Sequence, residues 1–268
     1  MKIYKPTGRA KEYSPLALNY FSGCTHDCKY CYVDRIEQKS HKHTSRSVCN
    51  PPDSDGFDEL ELSARQLQGC DKQILLSFTG DPYCDMPSQH TRRVLEILNK
   101  YEHKVSILTK GGSRVLRDLD LFKKFVSNDL FSTDTPRISV GATLTFDNPA
   151  DSLKWEPGAA LPADRIESLR ILSAEGIRTW VSFEPVINPE QTLNLLNQIA
   201  GIVHHVRIGK INNFENRDKH IDWNQFIKQA VAICNSNNLP FYIKNDLAIY
   251  NKDTLLTNEQ RNPNHLNL

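Results

Sequence analysis

From residue 74 onward the chain alternates between short, almost wholly apolar runs and longer segments whose apolar residues return every three or four positions. Ile74–Phe78, Val105–Leu108, Ile138–Leu144, Ile177–Phe183, Val203–Ile208 and Phe241–Ile243 have strand length and are rich in β-branched and aromatic residues. His90–Lys100, Val115–Val126, Pro162–Ala174, Pro189–Ile199 and Trp223–Cys234 lie between or after them with helical spacing. Upstream, Leu16–Phe21 reads as one more strand, closed by Ser22 and Gly23. Phe57, Leu60, Ala64 and Leu67 mark a helix that Gly69 stops. Residues 1–13 read as a loose, basic lead-in, Tyr32–Asp55 as an irregular polar loop, and the tail from Asn251 as polar and Asn-rich.

Strands alternating with helices of this size build βαβ units and a parallel sheet. Seven strands fall short of the eight of a closed barrel, so the pattern predicts an α/β fold: an open or partial (βα)6-type TIM barrel with parallel strands. The chain reads as one domain over 1–268, with a core of about 15–246 and a polar tail at 251–268. In such folds the chemistry sits on the loops that follow the strands. Polar residues recur there: Gly80 and Asp81 after the second strand, Lys110 after the third, Thr143 and Thr145 at the fourth, Ser182 and Glu184 at the fifth, Lys210 at the sixth and Lys244 at the seventh. Capping and loop chemistry would account for any one of these; their succession on one rim points to a site.

Composition narrows the class. The 268 residues are 39% hydrophobic and 24% charged, ordinary for a globular protein, and a net charge of +1 offers no overall field for nucleic acid or a membrane surface. No apolar run is long enough to span a bilayer, and the first residues lack a secretory signal pattern, so a cytoplasmic location is expected. Seven cysteines, three of them bunched, suit a reducing compartment with a metal site better than a disulfide framework.

The bunched three are Cys24, Cys28 and Cys31, spaced C-x3-C-x2-C directly after the first strand. Three thiolates can hold three irons of a cubane cluster and leave the fourth open. A structural Cys3His zinc site in a non-enzymatic binding module is the competing reading, with His26, His41, His43, Cys49 or Cys70 supplying the fourth ligand. Zinc sites more often use two separated ligand pairs, and no second pair is present. Cys84, on the second strand-to-helix loop, is a candidate hydrogen donor to a substrate radical, though a buried and inert thiol is the commoner fate of such a residue.

The cysteine spacing, with Gly80-Asp-Pro-Tyr83, Leu108-Thr-Lys110, Trp155-Glu-Pro157, Glu175-Gly-Ile177 and Pro185-Val-Ile187, resembles the radical S-adenosylmethionine (SAM) superfamily over roughly residues 15–215. Within it the chain is similar to the spore photoproduct lyase-like branch. The resemblance implies a [4Fe–4S] cluster on Cys24, Cys28 and Cys31. It also implies a cleaved SAM whose 5′-deoxyadenosyl radical abstracts hydrogen from a substrate, and a flavodoxin- or ferredoxin-type electron donor. By the same resemblance Tyr30 would lie against adenine, and Gly80 and Asp81 would grip the SAM amino group. Thr143 and Thr145 would meet ribose and carboxylate, Lys110 a carboxylate or an anionic substrate, and Ser182 and Glu184 the adenosyl part. Repair or modification of a nucleic-acid base, with basic residues around 104–124 and 207–219 meeting phosphates, is the narrower alternative. The fifth strand end, Glu184-Pro-Val-Ile-Asn-Pro189, departs from the branch's usual pattern, and the chain lacks an obvious hairpin or basic extension for duplex DNA.

Overall fold

A computed structural model describes residues 1–33, 54–85, 88–126, 136–211 and 217–268. Among them seven parallel strands form one sheet in sequential order: β1 (Leu16–Leu18), β2 (Ile74–Leu76), β3 (Val105–Thr109), β4 (Ile138–Thr143), β5 (Arg178–Val186), β6 (His205–Lys210) and β7 (Phe241–Ile243). The sheet is a curled half-barrel, open between β1 and β7. The helices are α1 (Ser54–Gln66), α2 (Ser88–Lys100), α3 (Leu119–Phe122), α4 (Pro149–Trp155), α5 (Pro162–Ala174), α6 (Pro189–Ile199), α7 (Trp223–Ser236) and α8 (Asn245–Ala248). The helix expected over Val115–Val126 is instead a 3-10 turn at Gly112–Asp118, the single turn of α3 and a second 3-10 turn at Lys123–Phe125. The short helix α4 was not expected. Asn148 caps it by accepting from the Ala150 amide (2.8 Å), and Pro149 fits its first position.

Every strand except β5, whose outer residues are half-exposed, is buried almost throughout. That is why the strands read as continuous apolar runs: both faces of a parallel sheet are covered. Outside, two hydrophobic clusters meet near β4. One joins Leu18, Leu76, Ile107 and Val140 to α1 and α2; the other joins Val181, Val206, Ile208 and Phe241 to α5, α6 and α7. Inside, Tyr13, Leu75 and Trp180 pack together, with Trp180 stacked on His205 at 5.6 Å. Gly141 sits beside Trp180 in the β4–β5 register because a side chain there would occupy the indole ring.

Residues 1–13 are not a loose lead-in. Tyr4 bridges to Ala17, Gly8–Glu12 forms a 3-10 turn, and Glu12 and Tyr13 reach into the half-barrel. Glu12 accepts from the Tyr242 hydroxyl (2.7 Å) and the Asn245 amide (2.8 Å) at the β7 edge. Arg207 donates to the Glu12 carbonyl, to the Pro263 carbonyl (3.0 Å) and to Asn267 Oδ1 (2.8 Å). The tail also returns to the residue before β2, where the Leu268 amide donates to Gln73 Oε1 (3.1 Å). Both chain ends thus span the gap that an incomplete barrel leaves. Burial weakens the Arg207 charge, lowering its pKa to about 10, with Tyr13, Tyr242 and Glu12 opposing that shift.

Candidate active site

The cysteine loop lies at the mouth between β1 and the segment that follows β4, and backbone hydrogen bonds fix it there. The Lys29 amide donates to the Trp155 carbonyl (2.9 Å), the Gly158 amide to the His26 carbonyl (3.0 Å), and His26 Nδ1 lies 3.0 Å from the Gly158 carbonyl. Gly158 has no room for a side chain, because a Cβ would run into the Thr25 carbonyl and its carbon (2.9 Å). The Trp155-Glu-Pro-Gly158 segment is therefore the wall against which the cysteines are set.

Cys28 is buried, Cys24 and Cys31 half-buried, and none of the three is in a disulfide. The Cys31 amide closes a turn onto the Cys28 carbonyl (3.0 Å). Burial pushes the Cys28 thiol up to about 12, opposed by the Lys110 ammonium, with Cys24 and Cys31 near enough to add to the rise. Cys24 is also pushed up, first by a hydrogen bond with the Cys84 side chain and then by burial. Among the described residues no three His, Cys, Asp or Glu side chains converge tightly enough to grip one metal ion.

The charged residues of this half are tied to one another. Asp81 accepts at Oδ1 from the Tyr83 amide (2.8 Å) and Thr109 Oγ1 (2.6 Å), and at Oδ2 from the Lys110 amide (2.7 Å), with His26 Nε2 3.0 Å away. Burial alone would raise this carboxyl; His26 and these hydrogen bonds outweigh it and hold it far below the usual carboxylate range. Three hydrogen bonds and the nearby His26 ring tie Asp81 to β2, β3 and the cysteine loop. Gly80 presses against Phe21 and the Gly23 carbonyl, leaving no room for a Cβ.

Glu156 forms a fully buried ion pair with Arg165 (2.6 Å), whose guanidinium also donates to the Thr143 carbonyl (2.9 Å) and the Ala160 carbonyl (2.7 Å). Burial opposes the Glu156 charge, but Arg165 and then Lys110 hold its pKa below the usual value. The Tyr30 hydroxyl donates to Glu156 and lies 3.1 Å from Thr145 Oγ1, while Lys110 Nζ stands 5.5 Å from the Tyr30 ring centre. Burial works against the Lys110 charge, and Cys28 and Glu156 favour it strongly enough to raise its pKa. Tyr30, Thr143 and Thr145 are brought together through protein partners: Tyr30 is pinned by its hydroxyl, Thr145 is fully buried beside it, and Thr143 offers its carbonyl to Arg165.

On the other half, Ser182 is fully buried and lies 2.8 Å from the Tyr13 hydroxyl. Glu184 reaches the mouth. Its Oε2 accepts from Tyr13 and from Lys244 Nζ (2.5 Å), and Lys244 also stands 4.3 Å over the Tyr13 ring. Gly209 makes the space, since a Cβ there would lie 2.9 Å from Lys244 and 3.2 Å from Glu184. Cys84 is fully buried, in the same core cluster against which Cys24 packs.

Of the zinc ligands considered, His26 has both ring nitrogens turned to Gly158 and Asp81, and Cys70 packs on the core beyond α1. His41, His43 and Cys49 lie outside the described residues. Glu156, Arg165, Gly158 and Tyr13 escaped the sequence reading as site residues, whereas Lys244 was on the rim it pointed to. Trp155-Glu-Pro157 was the available signal for the first three; a tyrosine in a basic lead-in offered none for Tyr13.

Comparison with known proteins agrees with this arrangement. The chain is 31% identical over 179 residues to an uncharacterized protein of Methanocaldococcus jannaschii, covering 63% of this chain and 60% of that protein. It is 28% identical over 181 residues to an uncharacterized protein of Acidianus two-tailed virus, covering 65% and 57%. The matches thus span about 60% of each of these relatives' length. In fold it is similar to Streptococcus suis SuiB bound to S-adenosylmethionine, with a TM-score of 0.62 at 10% identity over 90% of this chain and 53% of that one. It is similar too to spore photoproduct lyase complexed with dinucleoside spore photoproduct, with a TM-score of 0.61 at 10% identity over 90% and 79%. The family model for the radical SAM superfamily matches residues 18–202. The chain belongs to the radical SAM superfamily, whose common cofactors are a [4Fe–4S] cluster and S-adenosylmethionine.

Proposed function

We propose that this chain is a radical SAM enzyme in which Cys24, Cys28 and Cys31 would ligate three irons of a [4Fe–4S] cluster, leaving the fourth open for SAM. The observation that carries this reading is the clamped loop, with three thiols outside any disulfide held by the Trp155–Gly158 segment. An all-sulfur donor set suits iron–sulfur chemistry. With its cofactors bound, such a site supplies reductive cleavage of SAM and hydrogen abstraction by the 5′-deoxyadenosyl radical.

The chain's own residues divide the supporting work. Lys110 places a cation beside Cys28, which eases the gathering of thiolate charge. Glu156 and Arg165 hold Tyr30 and the end of β4, so the wall behind the cluster does not move. Glu184 spends Oε2 on Tyr13 and Lys244 and has Oε1 left to accept from hydroxyl or amino groups of a ligand in the mouth. Electrons come from an external reductant; a flavodoxin or ferredoxin is the proposed donor. No helix of the described residues is long and apolar enough to cross a membrane.

A nucleic-acid substrate, as in the photoproduct complex of spore photoproduct lyase, gains little from the basic residues here. Lys104 pairs with Asp71, Lys123 with Glu175, Arg114 donates to the Gly111 and Gly158 carbonyls, and Arg207 is buried. Retained binding to single- or double-stranded DNA at low salt would reverse that judgement.

Anaerobic reconstitution with iron and sulfide tests the main proposal. The expected result is a brown protein carrying about four irons per chain that releases 5′-deoxyadenosine from SAM with dithionite. Replacing Cys24, Cys28 and Cys31 by Ala should abolish both. A colourless protein with stoichiometric zinc overturns it.

A further inference from the structure

Tyr13 is held at two levels, and the lower hold comes from the far end of the chain. Asn267 Oδ1 accepts from Arg207 (2.8 Å) and from Gln73 Nε2 (3.3 Å). A guanidinium only donates, so the atom facing it is the oxygen of the carboxamide. Both donors reach on to one short stretch of backbone. Arg207 donates to the Glu12 carbonyl and stands 5.9 Å from the Tyr13 ring centre, and Gln73 Nε2 donates to the Tyr13 carbonyl (3.4 Å). Arg207 is buried, and the acceptors it meets, the Glu12 and Pro263 carbonyls and Asn267, are all uncharged. Without Asn267 Oδ1 a buried guanidinium N–H loses its acceptor, which is unfavourable enough to make the group move. The tail itself is anchored independently: Leu266 is buried, the Asn267 amide donates to the Asn264 carbonyl (3.2 Å) and the Leu268 amide to Gln73 Oε1 (3.1 Å).

We infer that Asn267 is a positioning residue for the mouth: it holds Arg207 and Gln73, these two set the backbone at Glu12 and Tyr13, and the Tyr13 hydroxyl sets the Glu184 carboxylate. At the upper level that hydroxyl lies 2.8 Å from Ser182 Oγ and donates to Glu184 Oε2, which Lys244 shares. With Tyr13 displaced, Oε2 loses one of its two donors and the carboxylate follows Lys244 alone. Asn267 touches no ligand. It acts by fixing beforehand a carboxylate that would otherwise have to be ordered on binding. The inference rests on the proposal that Glu184 meets SAM in the mouth. Coupling of this kind is reciprocal, so a ligand that gains from an ordered Glu184 also steadies the tail.

The test is SAM binding, by equilibrium dialysis, to the anaerobically reconstituted wild type, Asn267→Ala and Asn267→Asp, each with and without Tyr13→Phe. Asn267→Ala should raise the dissociation constant about threefold to tenfold, with iron content as in the wild type. Asn267→Asp, which keeps an acceptor for Arg207 and Gln73, should restore most of the affinity. In the Tyr13→Phe background, where no hydroxyl reaches Glu184, Asn267→Ala should have no further effect. An equal loss in both backgrounds overturns the inference, because Asn267 then acts on the fold at large. Unchanged binding in Asn267→Ala also overturns it and leaves the proposed enzyme intact. If the wild type itself takes up no iron or binds no SAM, the proposed function fails and the inference with it. Amide hydrogen exchange of the wild type needs no variant: SAM should slow exchange at Asn267 and Leu268, and equal rates with and without SAM overturn the assignment.

Discussion

The two halves of the mouth hold their polar groups by different means. On the β1–β4 side the ties are largely from backbone: Lys29 to Trp155, Gly158 to His26, and the Tyr83 and Lys110 amides to Asp81. On the β5–β7 side they run between side chains, from Tyr13 to Ser182 and Glu184 and from Lys244 to Glu184. Backbone ties fix the course of a loop whichever residues decorate it, and a set of cluster ligands needs that fixity. Side-chain ties set what the mouth presents and can change one residue at a time. On the proposed reading, the first half would hold the cofactor and the second would adapt to what the cofactor acts on.

If that contrast is right, the largest effects should come from cutting the cofactor half. Arg165→Met leaves Glu156 buried without its partner. It should cost about 3–5 kcal/mol, seen as a lower denaturation midpoint, and should reduce iron loading by freeing Tyr30. A variant that loads iron normally would show that the Glu156–Arg165 pair does not support the loop. Gly158→Ala should come next, at about 1–3 kcal/mol, since the new methyl meets the Thr25 carbonyl; the iron-to-protein ratio should fall together with stability. On the other half, Glu184→Gln should leave iron loading untouched and weaken SAM binding about tenfold, or ~1.4 kcal/mol, measured by equilibrium dialysis. Iron loss in that variant would erase the distinction between the halves.

The smallest effect concerns acid. Asp81 and Glu156 have depressed pKa values, so their contribution to stability is complete above the ordinary carboxylate range and is lost as pH falls through the depressed values. The melting temperature should be level from about pH 7 to 5 and drop below about pH 4. Glu156→Gln should flatten part of that drop; an unchanged profile would mean that other carboxylates account for it.

Much of the cofactor half was legible in the sequence because its signals are local. The cysteine spacing, the Gly80-Asp-Pro82 break and the strand runs each depend on residues close in the chain. Asp81 shows the limit. Its position at a strand end was readable, but Thr109, Lys110 and His26, which meet it, come from two other loops, and nothing in the spacing reveals that meeting. The segment Val115–Val126 misled for a related reason: helical spacing reports a buried face, and a string of 3-10 and α turns can bury the same residues. Tyr13 was least legible, since its surroundings in sequence are polar and its surroundings in space are Trp180, Phe78 and Lys244.

By itself the sequence determined the alternation of strand and helix, the parallel sheet and the cysteine nest, because apolar periodicity and short ligand spacing are properties of neighbouring residues. Only the tertiary structure decided which charges face a ligand and which are consumed in holding the loops. That choice depends on contacts between residues far apart in the chain: Tyr30 with Glu156, and Tyr13 with Glu184. A buried polar group must find its partner wherever the fold brings one, and sequence distance carries no information about that.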